Sequence, residues 1–247
     1  MGYGFRVFNP SGQLVVDSEA MGLYCKGKMT LQGSVVQPTG TISSYPGKVC
    51  GYSRYRLNTG SSVEPTIAFD LPASKVVGMR SLTYIGSNVW EVEMHCGDGN
   101  DGNGFETTEY QVDVWAFVAP TGSPVGAYGM TLYNSSGVLT WDFTAGVPLA
   151  DKALIAGNAS ATIPSLTKPV FVGSTASSQT VESYRGSNVW WDTEKRGCWL
   201  RTGTSLGKTE YVNRIYSTNS PSTSPPGNAT SDLFDHPGFI IEGSVLP

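Results

Sequence analysis

The sequence predicts an all-β protein: two tandem β-sandwich domains arising from an internal duplication. Three observations predict this. First, Gly86-Ser87-Asn88-Val89-Trp90 recurs letter for letter as Gly186-Ser187-Asn188-Val189-Trp190. Second, two weaker echoes fall in the same order. Tyr3-Gly4, Phe8-Asn9, Ser11-Gly12 and Leu14 match Tyr128-Gly129, Tyr133-Asn134, Ser136-Gly137 and Leu139, and Thr108-Glu109-Tyr110 matches Thr209-Glu210-Tyr211. The second copy is about 25 residues shorter between its first two landmarks and nearly collinear after them. Third, short apolar stretches are split throughout by Gly, Pro, Asn and Ser, with 30 Gly, 15 Pro and only 15% charged residues in 247. That spacing suits many short strands, and no amphipathic helix longer than about two turns is visible.

Each copy opens with a hairpin. Tyr3, Phe5 and Val7 alternate with Gly4, Arg6 and Phe8, which is the period of a strand. Asn9-Pro10-Ser11-Gly12 makes the turn: Asn accepts local backbone bonds, Pro fixes φ and Gly takes the positive φ. The returning strand, 13–17, puts Leu14 and Val16 on one face. The second copy repeats this with Tyr128, Met130 and Leu132, the turn Asn134-Ser135-Ser136-Gly137, then Leu139 and Trp141.

Further strands are expected at 66–71, 75–79, 110–118, 153–156, 170–172 and 211–216, and where Trp90, Val92 and Met94 alternate with Glu91 and Glu93. The domains are therefore 1–119 and 128–247, joined by a linker at 120–127 that is small, uncharged and rich in Pro and Gly. A second soft segment, 217–231, precedes the apolar tail Phe239-Ile240-Ile241. Such a tail invites aggregation unless it pairs. It is expected to complete the second sandwich, with docking on a neighbouring subunit as the alternative.

Composition excludes several functions. Net charge is −4 with no basic patch, whereas nucleic-acid binding needs one for counter-ion release. No apolar run approaches the ~20 residues of a membrane helix, so no membrane insertion is expected. The N-terminus lacks the basic and apolar regions of a signal peptide, and Arg6 stands where a myristoylation motif wants Ser or Thr. The cysteines, Cys25, Cys50, Cys96 and Cys198, are distributed unequally between the copies and form no CxxC pair. They are expected as buried free thiols in a reducing compartment, with a Cys25–Cys50 bridge left open.

The candidate sites are few. The Gly-Ser-Asn-Val-Trp element reads as a turn leading into a strand whose Trp fills the core; the competing reading makes Trp90 and Trp190 sugar platforms. The loop 98–106 carries Asp98 and Asp101 but fails as a calcium loop, because either register puts Gly102 or Phe105 where a ligand oxygen belongs. His95 and Cys96 would point to opposite faces of a strand. With His236 the only other histidine, a zinc site or a Ser-His-Asp triad has little material. Glu91 and Glu93 share one face, as a glycosidase pair would, but read as a solvated face. Three glycosylation sequons, at Asn134, Asn158 and Asn228, read as accidental without a secretion signal. No catalytic residue, cofactor or metal is expected. The candidate interaction surface is Trp90, Asp98, Asp101, Trp190, Phe239 and Ile241.

The opening Tyr3-Gly4-Phe5, then Val7-Phe8-Asn9, Gly12, Leu14-Val15 and Asp17-Ser18, resembles the N-terminal hairpin of small tail proteins of long-tailed bacteriophages. The likeness covers about 16 residues and returns more loosely from Tyr128 to Asp142, where Trp141-Asp142-Phe143 departs from the pattern. It implies a non-enzymatic virion component of the tail tip, baseplate or fibre region, assembled in the host cytoplasm. Its partners would be other tail proteins, further copies of itself, and a host surface glycan or protein. A carbohydrate-binding or lectin-like module is the alternative, and a glycan-degrading tail enzyme a third reading.

Overall fold

A computed structural model describes residues 6–8, 14–17, 22–36, 51–98, 111–120, 129–143, 153–155, 161–162, 166–173, 179–186, 189–217 and 238–247. The chain is all-β, with a single 3-10 turn at Gly243–Val245 among the described residues. The strands are β1 (Arg6–Phe8), β2 (Leu14–Asp17), β3 (Tyr24–Lys28), β4 (Thr30–Val36), β5 (Gly51–Asn58), β6 (Thr66–Asp70), β7 (Lys75–Gly86), β8 (Val89–Asp98) and β9 (Val114–Val118). The second half contributes β10 (Thr131–Tyr133), β11 (Leu139–Asp142), β12 (Ala153–Ile155), β13 (Ala161–Thr162), β14 (Pro169–Gly173), β15 (Gln179–Gly186), β16 (Val189–Thr202), β17 (Ser205–Ser217) and β18 (Gly238–Glu242).

Two large sheets form the body. One has six strands in the order β12-β18-β14-β6-β9-β3; the other has eight, β13-β17-β16-β7-β8-β5-β4, with β15 also paired to β16. Strands from both sequence halves therefore lie in both sheets. Among the described residues the two halves are joined strand to strand. The six-stranded sheet is joined where β6 pairs antiparallel with β14, Phe69 opposite Phe171. The eight-stranded sheet is joined by a shorter contact of β7 with β16, Val77 opposite Trp199 and Val76 opposite Leu200. The segment 121–128, most of the expected linker, lies outside the described residues, as do 218–231.

The core sits between the sheets. Ile67 and Phe69 of β6, Val114 and Ala116 of β9, Phe171 of β14 and Ile240 of β18 meet Tyr55, Val77, Met79, Val92, Met94, Trp199 and Leu206 from the eight-stranded sheet. The intervening residues Ala68, Trp115, Phe117, Val170, Val172 and Ile241 form a second buried cluster on the opposite face, with Leu23 and Leu246 packed against it. Burial on both faces explains why β6, β9, β14 and β18 read as continuous apolar runs. By contrast, β5 and β8 alternate over most of their length, with Tyr55, Val92 and Met94 buried and Arg54, Arg56, Glu91 and Glu93 on the other face.

The C-terminal tail completes a sheet: β18 lies between β12 and β14. Strand β9 begins at Val114, four residues later than the expected start at Tyr110, and the reason is local. The Val112 N–H donates to the Tyr55 hydroxyl and the Asp113 N–H to Asp70 Oδ1, so neither amide is available to a ladder. Strands β3, β4, β5, β13 and β15 are additional to those expected from the sequence.

Candidate functional site

The two hairpins stand as two-stranded sheets of their own. In the first, Arg6 faces Asp17, Val7 faces Val16 and Phe8 faces Leu14, with the register shifting between Val7 and Phe8. In the second, Thr131 faces Asp142, Leu132 faces Trp141 and Tyr133 faces Leu139, with the shift between Leu132 and Tyr133. The bulge thus falls at the matching position in both. The turn of the second hairpin forms as its sequence predicts. Asn134 Oδ1 accepts the N–H groups of Ser136 and Val138, and Gly137 takes φ +76°. The first hairpin's turn, 9–13, lies outside the described residues.

The second hairpin is anchored through its return strand, β11, which is mostly buried, while β10 and the turn are more exposed. Leu139 is buried, and the Gly22 N–H donates to the Thr140 carbonyl at 2.8 Å. The Trp141 ring lies so close to Gly22 that a Cβ there would meet it at 2.4 Å. Trp141 in turn stacks on Phe143 with ring centroids 5.7 Å apart. Met130, Tyr133 and Val138 are each nearly half exposed (47%, 45% and 49%). A short, anchored ribbon with three exposed apolar side chains is suited to packing against another surface. Sequence reasoning placed the ribbon but not these residues: its alternation set Met130 inward with Leu132, Leu139 and Trp141, and of these Met130 is instead nearly half exposed.

The residues singled out from sequence are scattered. Trp90 is buried at 7% exposure, and its indole N–H donates to the Ser61 carbonyl. It is a core residue, not a sugar platform, as the turn-and-strand reading of its motif predicts. Ile241 is also buried, which corrects its place in the interaction surface: the tail pairs on both sides and turns this side chain into the core. Asp98, Trp190 and Phe239 stand in β8, β16 and β18. Asp101, His236, Cys50 and the loop 99–110 lie outside the described residues. Cys25 is a buried free thiol, and burial pushes its pKa up to about 11, so it is a poor nucleophile.

The Gly-Ser-Asn-Val-Trp turn joins β7 to β8 with Ser87 and Asn88 both left-handed, at φ 51° and 60°. Consecutive positive φ values give the primed turn whose twist suits a hairpin. Neighbours hold it: Asn58 donates to the Ser87 carbonyl, Thr59 N–H to the Asn88 carbonyl, and the Asn88 N–H to the Tyr84 hydroxyl. The second copy of the motif likewise spans the β15–β16 junction, Gly186 facing Val189.

Glu91 and Glu93 do share one face of β8, and arginines neutralise them there. Glu93 accepts from Arg54 Nε at 3.0 Å, Arg80 Nη1 at 3.2 Å and the Ser81 hydroxyl at 3.0 Å. Glu91 pairs with Arg56. Arg54 and Arg80 also lie against the Tyr52 ring, Arg80 at 4.2 Å from its centroid. Glu93→Ala removes the acceptor shared by Arg54, Arg80 and the Ser81 hydroxyl and is expected to cost about 2 kcal/mol in urea unfolding, whereas Glu91→Ala, with its half-exposed Arg56, costs under about 1 kcal/mol. Equal costs would contradict the network.

A second charged cluster joins the halves. Lys28 Nζ and Lys168 Nζ both reach Asp113, at 2.6 and 2.7 Å, and Asp70 Oδ1 accepts the Asp113 N–H at 2.9 Å. Burial raises the Asp113 pKa, but the bonds from Lys168 and Lys28 outweigh it and hold the group below its ordinary value. Among the described residues no group of three His, Cys, Asp or Glu is placed to hold a metal ion. No helix of the described residues is long and apolar enough to cross a membrane. No protein-family model, curated protein or solved structure matches the chain.

Proposed function

We propose that the chain is a non-enzymatic structural protein of a long-tailed bacteriophage tail, in the tip, baseplate or fibre region, serving tail assembly and host attachment. The observation that carries this reading is the hairpin pair. The segment with the tail-protein resemblance pairs as a hairpin apart from the main sheets, and a second hairpin of matching register presents Met130, Tyr133 and Val138 outward. The same reading takes the halves as copies of one unit. In support, the six-stranded sheet reads outward from the β6–β14 seam as β9-β3 on one side and β18-β12 on the other.

In the tail the hairpins would dock on neighbouring subunits or on further copies of this chain, and the exposed face would meet a host glycan or protein. The lectin-like alternative loses one of its two proposed platforms with the burial of Trp90. Tyr133→Thr combined with Val138→Thr removes exposed apolar surface without touching the core. This variant is expected to fold with stability within about 1 kcal/mol of wild type yet fail to enter particles in a complementation assay. Normal incorporation would contradict the docking role.

A further inference from the structure

We propose that the cluster of Asp70, Asp113, Lys28 and Lys168 is a proton-responsive joint, which tightens the seam between the two sequence halves when it holds one extra proton and loosens it when that proton leaves. Asp70 is the last residue of β6 and faces Val170 across the β6–β14 pairing. Lys168 enters from just before β14, Lys28 ends β3, and Asp113 precedes β9. The two ammonium groups both bind Asp113. Asp70 instead receives the Asp113 backbone N–H, and its own N–H donates to the Asp113 carbonyl. The lysine charge thus stabilises Asp113 first, while Asp70 sits half-buried beside a second carboxylate.

Among the described residues, the other titratable groups around the joint make their bonds elsewhere than to Asp70. Arg201 of β16 donates to the Leu71 carbonyl, Glu242 of β18 accepts the Lys168 N–H, and the Tyr55 hydroxyl accepts the Val112 N–H. Consistent with this geometry, burial pushes Asp70 up to about 6, with the neighbouring Asp113 charge adding to it and the Asp113 N–H and the lysines opposing. A carboxyl whose folded pKa is raised favours the closed seam while protonated. Its penalty grows as pH climbs from the unfolded value and is complete above the folded one. The seam is therefore tighter at pH 5 than at pH 8.

The test is amide hydrogen exchange on the intact chain at pH 5 and pH 8, corrected for intrinsic rates. In the wild type, β6 and β14 amides at the seam are expected to lose about tenfold protection at pH 8, while the β5–β8 ladder changes less. In Asp70→Asn, which keeps the Oδ1 acceptor, seam protection is expected to be the same at both pH values. An equal loss in Asp70→Asn, or an equal loss in β5–β8, would overturn the proposal. Should that variant fail to fold, the ¹³C-carboxyl titration of Asp70 in the wild type decides. A midpoint above pH 5 shared by the seam amides supports the joint; a midpoint at or below 5, or no shared midpoint, overturns it.

Discussion

Phe171→Ala is expected to cost about 3–5 kcal/mol, the largest effect of any single truncation considered, because it empties the centre of the seam. Phe171 is 5% exposed. Its ring lies 5.3 Å from that of Phe69 across the β14–β6 pairing and 4.9 Å from that of Trp199 in the facing sheet. It thus touches both halves and both layers. The ring also fills the space left by two glycines. A Cβ on Gly173 would meet it at 2.6 Å, and one on Gly238 at 2.3 Å. Truncation therefore leaves a hole beside two residues that have no side chain to fill it. Urea unfolding should show a lower midpoint with an unchanged slope, and the melting temperature should drop by roughly 10 °C. A loss under about 1 kcal/mol would mean that the two halves do not pack through this residue.

Glu242→Ala should cost about 2 kcal/mol at neutral pH. This carboxylate ends β18 and accepts three backbone N–H groups: Thr167 at 2.8 Å, Lys168 at 3.0 Å and Ser244 at 3.0 Å. Slight burial raises its pKa, but those bonds outweigh it and bring the group down to about 2. The lock fixes the residues before β14 and the chain after β18 together. Gly243 N–H donates to the Lys168 carbonyl, and Trp115 Nε1 reaches the Pro247 carbonyl at 2.8 Å. Because the folded pKa is depressed, the stabilisation is complete above the unfolded value near 4.5 and fades as pH falls toward 2. The difference between wild type and Glu242→Ala should therefore be constant from pH 6 to 9 and shrink below pH 4. A difference that instead grows on acidification would contradict the assignment.

Much of the local structure was legible in the sequence, because hairpins and strands are written in nearby residues. Asn134 and Gly137 announce a turn by their own chemistry. Trp90, Val92 and Met94 announce an inward face by their spacing. The apolar tail announces that it must pair. Strand β5 was legible in principle, since Tyr55 and Leu57 alternate with Arg54 and Arg56, but short mixed stretches of this kind carry a weak period. The joining of the halves was not legible. Phe69 and Phe171 meet across about a hundred residues of chain, and periodicity does not say which edge a strand will choose. The seam cluster was hidden for the same reason: Lys28, Asp70, Asp113 and Lys168 share no spacing. What the sequence did show was a charge ending or interrupting an apolar run, at Asp70 after Phe69 and at Asp113 between Val112 and Val114. A carboxylate in such a place has to find partners, and tertiary structure alone identifies them.

The most direct measurement is quantitative mass spectrometry of purified particles induced from the source cell. The tail-protein reading predicts several copies of this chain per particle, in fixed ratio to the tail subunits. Absence from intact particles that carry complete tails would contradict it.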